Sequence, residues 1–216
     1  MIILFDLDGT LIDSTDAIVS TFHHSFDVHG ATHPSDDEIK ALIGYPLDIM
    51  FSELGVEESK VWDYVSTYKE RYKIISCVQT ELLASAEPAV KCANNFARLG
   101  IVTTKTGAYS QVLMEHFNLM QYFEVLIGRE HVQNPKPHEE PILKALEIMG
   151  NIDEDVWMIG DTKLDLLSAK NAKISSIGVL SGYDTKETLQ KYTKIIFSNA
   201  FEAVKYLENN HKNEIK

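Results

Sequence analysis

The sequence predicts an α/β protein: a parallel sheet with helices on both faces, and a small all-α unit inserted directly after the first strand. Three observations carry this. An apolar run, Ile2 to Phe5, opens the chain and reads as a buried strand. Residues 15–80 then show helical periodicity and no convincing strand. After residue 80, short β-like runs alternate with helical patterns, as in a parallel sheet covered on both faces.

After the 2–5 strand, Ser14 or Thr15 is positioned as an N-cap, with Asp13 as a capping acid. Ile18, Val19, Phe22 and Phe26 follow at helical spacing, and Gly30 is a stop. Ser35-x-x-Glu38 is a capping-box pattern opening a short helix that Gly44 should end. Leu47–Leu54 forms a third helix closed by Gly55. Val61, Tyr64, Val65, Tyr68 and Tyr72 mark the apolar stripe of a longer one. Strands are then expected at 99–103, 125–127, 156–159, 176–180 and 195–197, with helices at 109–117, 141–149 and 164–170. The domains implied are a core of 1–14 plus 81–216 and an insertion of 15–80.

A chain of 216 residues, 44% hydrophobic and 24% charged, has the composition of an ordinary globular protein. Twenty basic residues against 32 acidic give a net charge of −12, which argues against nucleic acid as a partner. An anionic substrate would need local positive charge to overcome that field. Cys77 and Cys92 show no ligand spacing and read as free thiols of a reducing cytoplasm. The opening apolar run is too short for a signal segment, and no run reaches membrane-spanning length. A monomer and a homodimer are equally compatible with the pattern.

In open α/β sheets ligands bind at the carboxyl ends of strands. The first strand ends in Asp6, Asp8, Gly9 and Thr10, and the 99–103 strand in Thr103, Thr104 and Lys105. Beyond 125–127 lies "NPKPHEEP" with Lys136 between two prolines, and 156–159 runs into "GDTKLD" with Asp161 and Asp165. Two acids beside a buried strand repel each other and are costly to desolvate, so a structural turn gains nothing from them. Hard oxygen ligands suit magnesium (Mg2+), not zinc. The histidines from His23 to His138 are scattered without ligand spacing.

D-x-D-G-T, then T, then K, then G-D-x-x-x-D resembles the four-motif pattern of the haloacid dehalogenase-like hydrolase superfamily. "DLDGTLIDS", "IVTTK", "NPKPHEEP" and "IGDTKLD" are most similar to its phosphoglycolate phosphatase branch and the pyrophosphatase relatives of that branch. "LASAEPAV" departs from the branch, which usually has a Pro-Gly pair there. The resemblance implies a Rossmann-like core, a helical cap and a Mg2+-dependent phosphatase of small phosphorylated metabolites, with 2-phosphoglycolate favoured. It implies Asp6 as nucleophile, Asp8 as general acid and base, and Mg2+ on Asp6, the Asp8 carbonyl and Asp161. Asp165 would orient a metal-bound water or Lys136. Lys136, the hydroxyl and N–H of Thr103, and the backbone at Gly9 would hold phosphate oxygens. Thr10, Thr104 and Lys105 are further candidates at the phosphate, and Gly44 and Tyr45 of "IGYPL" would reach over the site as a lid. Lys69 and Arg71 could meet a substrate carboxylate or lie in solvent.

Other chemistries of the superfamily fit less well. A dehalogenase lacks the second aspartate of the first motif. β-Phosphoglucomutase relatives typically carry valine at the position of Thr10 and histidine at that of Ile18. Pyrophosphate, sugar phosphates and nucleotides stay open as substrates. A phosphoacceptor receiver module also uses acids, threonine and lysine at strand ends, but it is shorter and has no closing G-D-x-x-x-D.

Overall fold

The computed structural model describes residues 1–150 and 154–214. Strand β1 (Ile2–Phe5) is followed by the short β2 (Ile12–Asp13), then by four helices: α1 (Thr15–Val28), α2 (Asp36–Lys40), α3 (Leu47–Glu53) and α4 (Val61–Gln79). Strand β3 (Glu81–Leu82) returns the chain to the sheet. There α5 (Ala86–Ala93), β4 (Arg98–Val102), α6 (Gly107–His116), β5 (Val125–Ile127), α7 (Glu140–Met149), β6 (Val156–Gly160), α8 (Lys163–Asn171) and β7 (Ser175–Val179) alternate. The chain closes with α9 (Lys186–Leu189), β8 (Ile196–Phe197) and α10 (Ala200–Glu214).

The main sheet is parallel throughout, in the order β5-β4-β1-β6-β7-β8. Four fully buried residues in a row make β1 the middle of the protein, and its alternation divides the core. Ile3 and Phe5 pack with Ala89 and Val90 of α5 and Val204 and Leu207 of α10. Ile2 and Leu4 face the opposite layer, with Ile142 and Ala145 of α7 and Ala169 of α8. Each such side chain contributes about 1.5–3 kcal/mol of burial, so β1 is held from both sides. That rigidity fixes the residues at its carboxyl end.

The helices of residues 15–79 carry a separate core in which Phe22, Phe26 and Phe51 meet Tyr64 and Tyr68; the Phe22 and Phe51 rings lie 4.5 Å apart. The stripe expected on α4 is this core. Ser35 and Glu38 form the expected capping box. Helix α2 nevertheless ends at Lys40 rather than at Gly44, which sits in the following loop with φ +107°. Two strands were not expected: β2 and β3 pair antiparallel, Ile12 opposite Leu82 and Asp13 opposite Glu81, where the chain enters and leaves the helical unit. In "LASAEPAV" the turn closes by an Ala86 N–H bond to the Leu83 carbonyl, and α5 starts there without a side-chain cap.

Candidate active site

The carboxyl ends of β1, β4 and β6 lie side by side, and they bring Asp6, Thr103 and Asp161 together. Lys136 reaches them from the segment before α7. Lys136 is 3% exposed, and its ammonium has three partners: the Val102 carbonyl at 2.9 Å, Asp165 Oδ1 at 2.5 Å and Asp6 Oδ1 at 2.9 Å. Burial opposes the charge on Lys136, but Asp165 and Asp6 overcome it and hold its pKa above the ordinary lysine value.

Asp6, Asp161 and Asp165 are all buried, with carboxylate oxygens within 4.8 Å of one another. Burial first, then the neighbouring Asp165 charge, pushes the Asp6 pKa up to about 7, against the pull of Lys136. Burial and the charges of Asp165 and Asp6 likewise raise Asp161 well above the carboxylate range. Asp6 Oδ1, though buried and beside Lys136, takes no well-directed hydrogen bond. Three clustered carboxylates around one ammonium leave excess negative charge, and hard oxygen donors with that excess fit a divalent cation such as Mg2+.

Asp161 is anchored on both oxygens. Thr10 Oγ1 donates to Oδ1 at 2.9 Å and the Tyr183 N–H to Oδ2 at 2.9 Å. Asp165 divides its oxygens, with Oδ2 accepting from the N–H and hydroxyl of Thr162 in the capping box of α8. That leaves Oδ1 for Lys136. Asp8 lies one position beyond the inward-facing Leu7 and is held by Lys105, whose Nζ lies 3.0 and 3.1 Å from its two oxygens, and by the Ser14 hydroxyl. Burial works against the Lys105 charge, and Asp8 more than restores it.

Several sequence expectations need correction. Thr10, expected at the phosphate, is fully buried with its hydroxyl on Asp161. The N–H groups of Gly9 and Thr103, expected to cradle phosphate, are already bonded to the carbonyls of Ile12 and Ile127. An N–H donates once, so the Thr103 hydroxyl is what remains; it accepts from the Lys105 N–H at 3.2 Å and keeps its own proton. Asp13, by contrast, caps α1 as expected, accepting from the Thr15 N–H at 3.0 Å. Thr104 donates to the Gly44 carbonyl at 2.8 Å, so Gly44 and Tyr45 are drawn to the sheet end, and both line a cavity there with Asp8. Lys69 borders that cavity and Arg71 is not among its lining residues.

A loop after β7, Ser181 to Tyr183, was not anticipated. Ser181 donates to the Gly9 carbonyl at 2.7 Å, and Tyr183 joins Asp161 through its N–H and Thr15 of α1 through its hydroxyl at 3.1 Å. Gly182 lies so close to Asp161 that a Cβ there would come within 1.9 Å of Oδ2; a Cβ on Gly9 would come within 2.4 Å of the same atom. Both glycines therefore leave room for a carboxylate. A strand followed by "SGYD" was the sole sequence signal.

A buried acidic cluster with a lysine at the switch of a parallel sheet defines a hydrolase-type core of the aspartate class. The family model of haloacid dehalogenase-like hydrolases matches residues 3–179, and the chain belongs to that family. It is 30% identical over 181 residues to the pyrophosphatase PpaX of Bacillus cereus, covering 82% of each chain. It is 32% identical over 211 residues to "Probable phosphatase IndB" of Dickeya dadantii, covering 94% of this chain and 91% of that one. Among solved structures, a haloacid dehalogenase-like protein of Bacteroides fragilis superposes with a TM-score of 0.88 at 30% identity, over 94% of this chain and 98% of the other. The chain is an enzyme of the phosphatase kind within this family. No helix among the described residues is long and apolar enough to cross a membrane.

Proposed function

We propose that the protein is a magnesium-dependent phosphatase of small phosphate monoesters that works through an aspartyl phosphate on Asp6. The buried group of Asp6, Asp161 and Asp165 with Lys136 among them is the observation that carries this reading. Asp6 attacks phosphorus, and the bond to the ester oxygen breaks as that oxygen takes a proton from Asp8. Asp8 then accepts a proton from water, which attacks the phosphorus of the aspartyl phosphate, releases inorganic phosphate and restores Asp6. Lys105 and Ser14 keep the Asp8 carboxyl pointed at one place through this exchange of protons.

Asp6, the Asp8 carbonyl and Asp161 would hold Mg2+, which would supply the charge that offsets carboxylates and phosphate. Lys136 steadies Asp6 and adds positive charge next to it, and the Thr103 hydroxyl donates to a phosphate oxygen. Thr10, Tyr183 and Gly182 fix the direction of Asp161. The helices of 15–79 act as a cap, with Gly44 and Tyr45 over the site excluding water.

A small phosphorylated metabolite suits the net charge of −12 better than nucleic acid or a membrane surface, and free Cys77 and Cys92 suit the cytoplasm. 2-Phosphoglycolate is the substrate the sequence resemblance favours. Pyrophosphate is the second reading, supported by the names of relatives such as PpaX. The deciding experiment is a phosphate-release panel with Mg2+ on the native protein and on Asp6→Asn. Release that vanishes in Asp6→Asn is expected. Absence of release from every ester by the native protein would overturn the enzyme reading, and activity surviving in the variant would overturn the mechanism.

A further inference from the structure

A cavity of about 220 Å³ lies between the helical unit and the sheet, with Asp8 in its wall. Asp8 is the residue read above as donating a proton to the leaving group, so what fills this space is joined to the oxygen that departs. Its surface is unlike that of an anion site. Apolar wall comes from Ile18, Ile43, Leu47, Met50 and Val65, and rings from Tyr45, Tyr68, Tyr72 and Tyr109. Tyr68 and Tyr72 stack with centroids 5.4 Å apart, and Tyr109 stands 5.8 Å from Tyr72.

The charges around the cavity cancel. Lys69, Lys105 and Arg129 border it, and so do Asp8, Asp48 and Glu130. Lys105 is held by both oxygens of Asp8 and lies 4.7 Å over the Tyr72 ring. Arg129 donates to the Val132 carbonyl, and Glu130 accepts from the N–H groups of Gly107 and Ala108. A glycolate carboxylate or a second phosphate would have to leave water for a wall with at most one net positive charge, even with the proton on Asp8, which is costly. A flat ring loses nothing comparable, gains apolar contact, and stacks on tyrosines at about 0.5–1.5 kcal/mol per pair beyond its burial. The space also suffices, since a cavity of about 150 Å³ already takes up benzene.

We propose that this cavity receives the leaving group and selects phosphate monoesters of alcohols that carry a planar ring; this rests on the reaction proposed above and specifies its substrate class. Tyr109, on α6 and half-buried, is the specificity residue most open to test: it comes from the sheet side, packs against the core of the helical unit and donates its hydroxyl to the Lys69 carbonyl at 3.2 Å.

The test compares kcat/KM with Mg2+ for a nucleoside 5′-monophosphate, an aryl phosphate, 2-phosphoglycolate and pyrophosphate. At least one ring-bearing ester is expected to exceed both small anions by about tenfold or more, the scale on which pocket contacts discriminate. The two ring arms separate a nucleoside from a simple aromatic alcohol. Tyr109→Leu should raise KM for the preferred ring ester about tenfold and so shrink its kcat/KM advantage over 2-phosphoglycolate, whereas Tyr109→Phe should keep the ring preference. Equal or better use of 2-phosphoglycolate or pyrophosphate overturns the ring assignment with the phosphatase reading intact. A Tyr109→Leu variant that weakens all substrates alike also overturns it. If no compound releases phosphate, the underlying reading falls as well. Calorimetric titration of Asp6→Asn, where turnover is removed, then decides on binding alone: ring esters no tighter than 2-phosphoglycolate would refute the cavity's preference.

Discussion

The Thr10 hydroxyl donates to Asp161 Oδ1 at 2.9 Å and so ties the turn after the first strand to the acid after β6, 151 residues along the chain. Both residues are fully buried, and no water competes for the bond. In the reaction proposed above, it orients a carboxylate that would bind Mg2+. Thr10→Val keeps the shape and removes the donor. Groups that orient a metal ligand typically matter by about 10–100-fold in affinity, so the magnesium concentration at half-maximal phosphate release should rise about tenfold. Thr10→Ser should restore it. An unchanged magnesium requirement in Thr10→Val would remove this role.

Gly182→Ala should be far more damaging than its size suggests. The added methyl would press into Asp161, against both Oδ2 and Cγ, and the backbone at Tyr183 that bonds the same oxygen would have to move. Turnover is expected to fall about a hundredfold, since displacement of a reacting group by about 1 Å costs that much. Circular dichroism should show a folded protein. Near-native activity in Gly182→Ala would mean that the loop yields easily and does not set the acid's position.

Lys136→Met is expected to destabilise the metal-free protein by about 3–5 kcal/mol, because Asp6 and Asp165 would stay buried without their cation. Lys136→Arg should not rescue it, since a planar guanidinium cannot reproduce the simultaneous contacts of one ammonium nitrogen with the Val102 carbonyl, Asp165 and Asp6. Urea denaturation with chelator present measures both.

The acids also set a pH dependence. Asp6 is raised from 3.8 to about 7 in the folded protein, so between those values the native state binds more protons than the unfolded one. Stability is therefore lost as pH rises through that window, and Asp161 acts in the same direction. Metal-free protein should melt at a higher temperature at pH 5 than at pH 8. Asp6→Asn should flatten the difference, and Mg2+ should stabilise the native protein more at pH 8 than at pH 5. Thermal melts in chelator and in Mg2+ check all three; a metal-free protein more stable at pH 8 would contradict the assignment.

Much of this arrangement was legible because burial leaves a period. Ile2 to Phe5 and the Val61-to-Tyr72 stripe announce a strand and a helix through spacing alone, and acids at a strand end are costly enough to signal purpose. The spacing of Ala200, Ala203, Val204 and Leu207 carried the same kind of signal for α10, which was not anticipated. Strands β2 and β3 were hidden by their length, since two residues define no alternation. Gly182 and Tyr183 were hidden for another reason: one acts through a missing Cβ and the other through a backbone N–H, and "SGYD" after a strand says nothing of which acid they meet. The same holds for the engaged N–H groups of Gly9 and Thr103, whose partners only the folded chain reveals.

The pairing of Ile12 with Leu82 and Asp13 with Glu81 brings the departure and return of sixty-odd residues to a single doorway. A segment whose two ends are held together costs its host little more as it grows, about 0.6 kcal/mol of closure entropy for each doubling of its length. The buried acids Asp6, Asp161 and Asp165 all belong to the sheet side of that doorway and are thus insulated from changes in what is plugged into it. Lineages could exchange one helical unit for another, and with it the alcohol that fits, without rebuilding the machinery that breaks the phosphate bond.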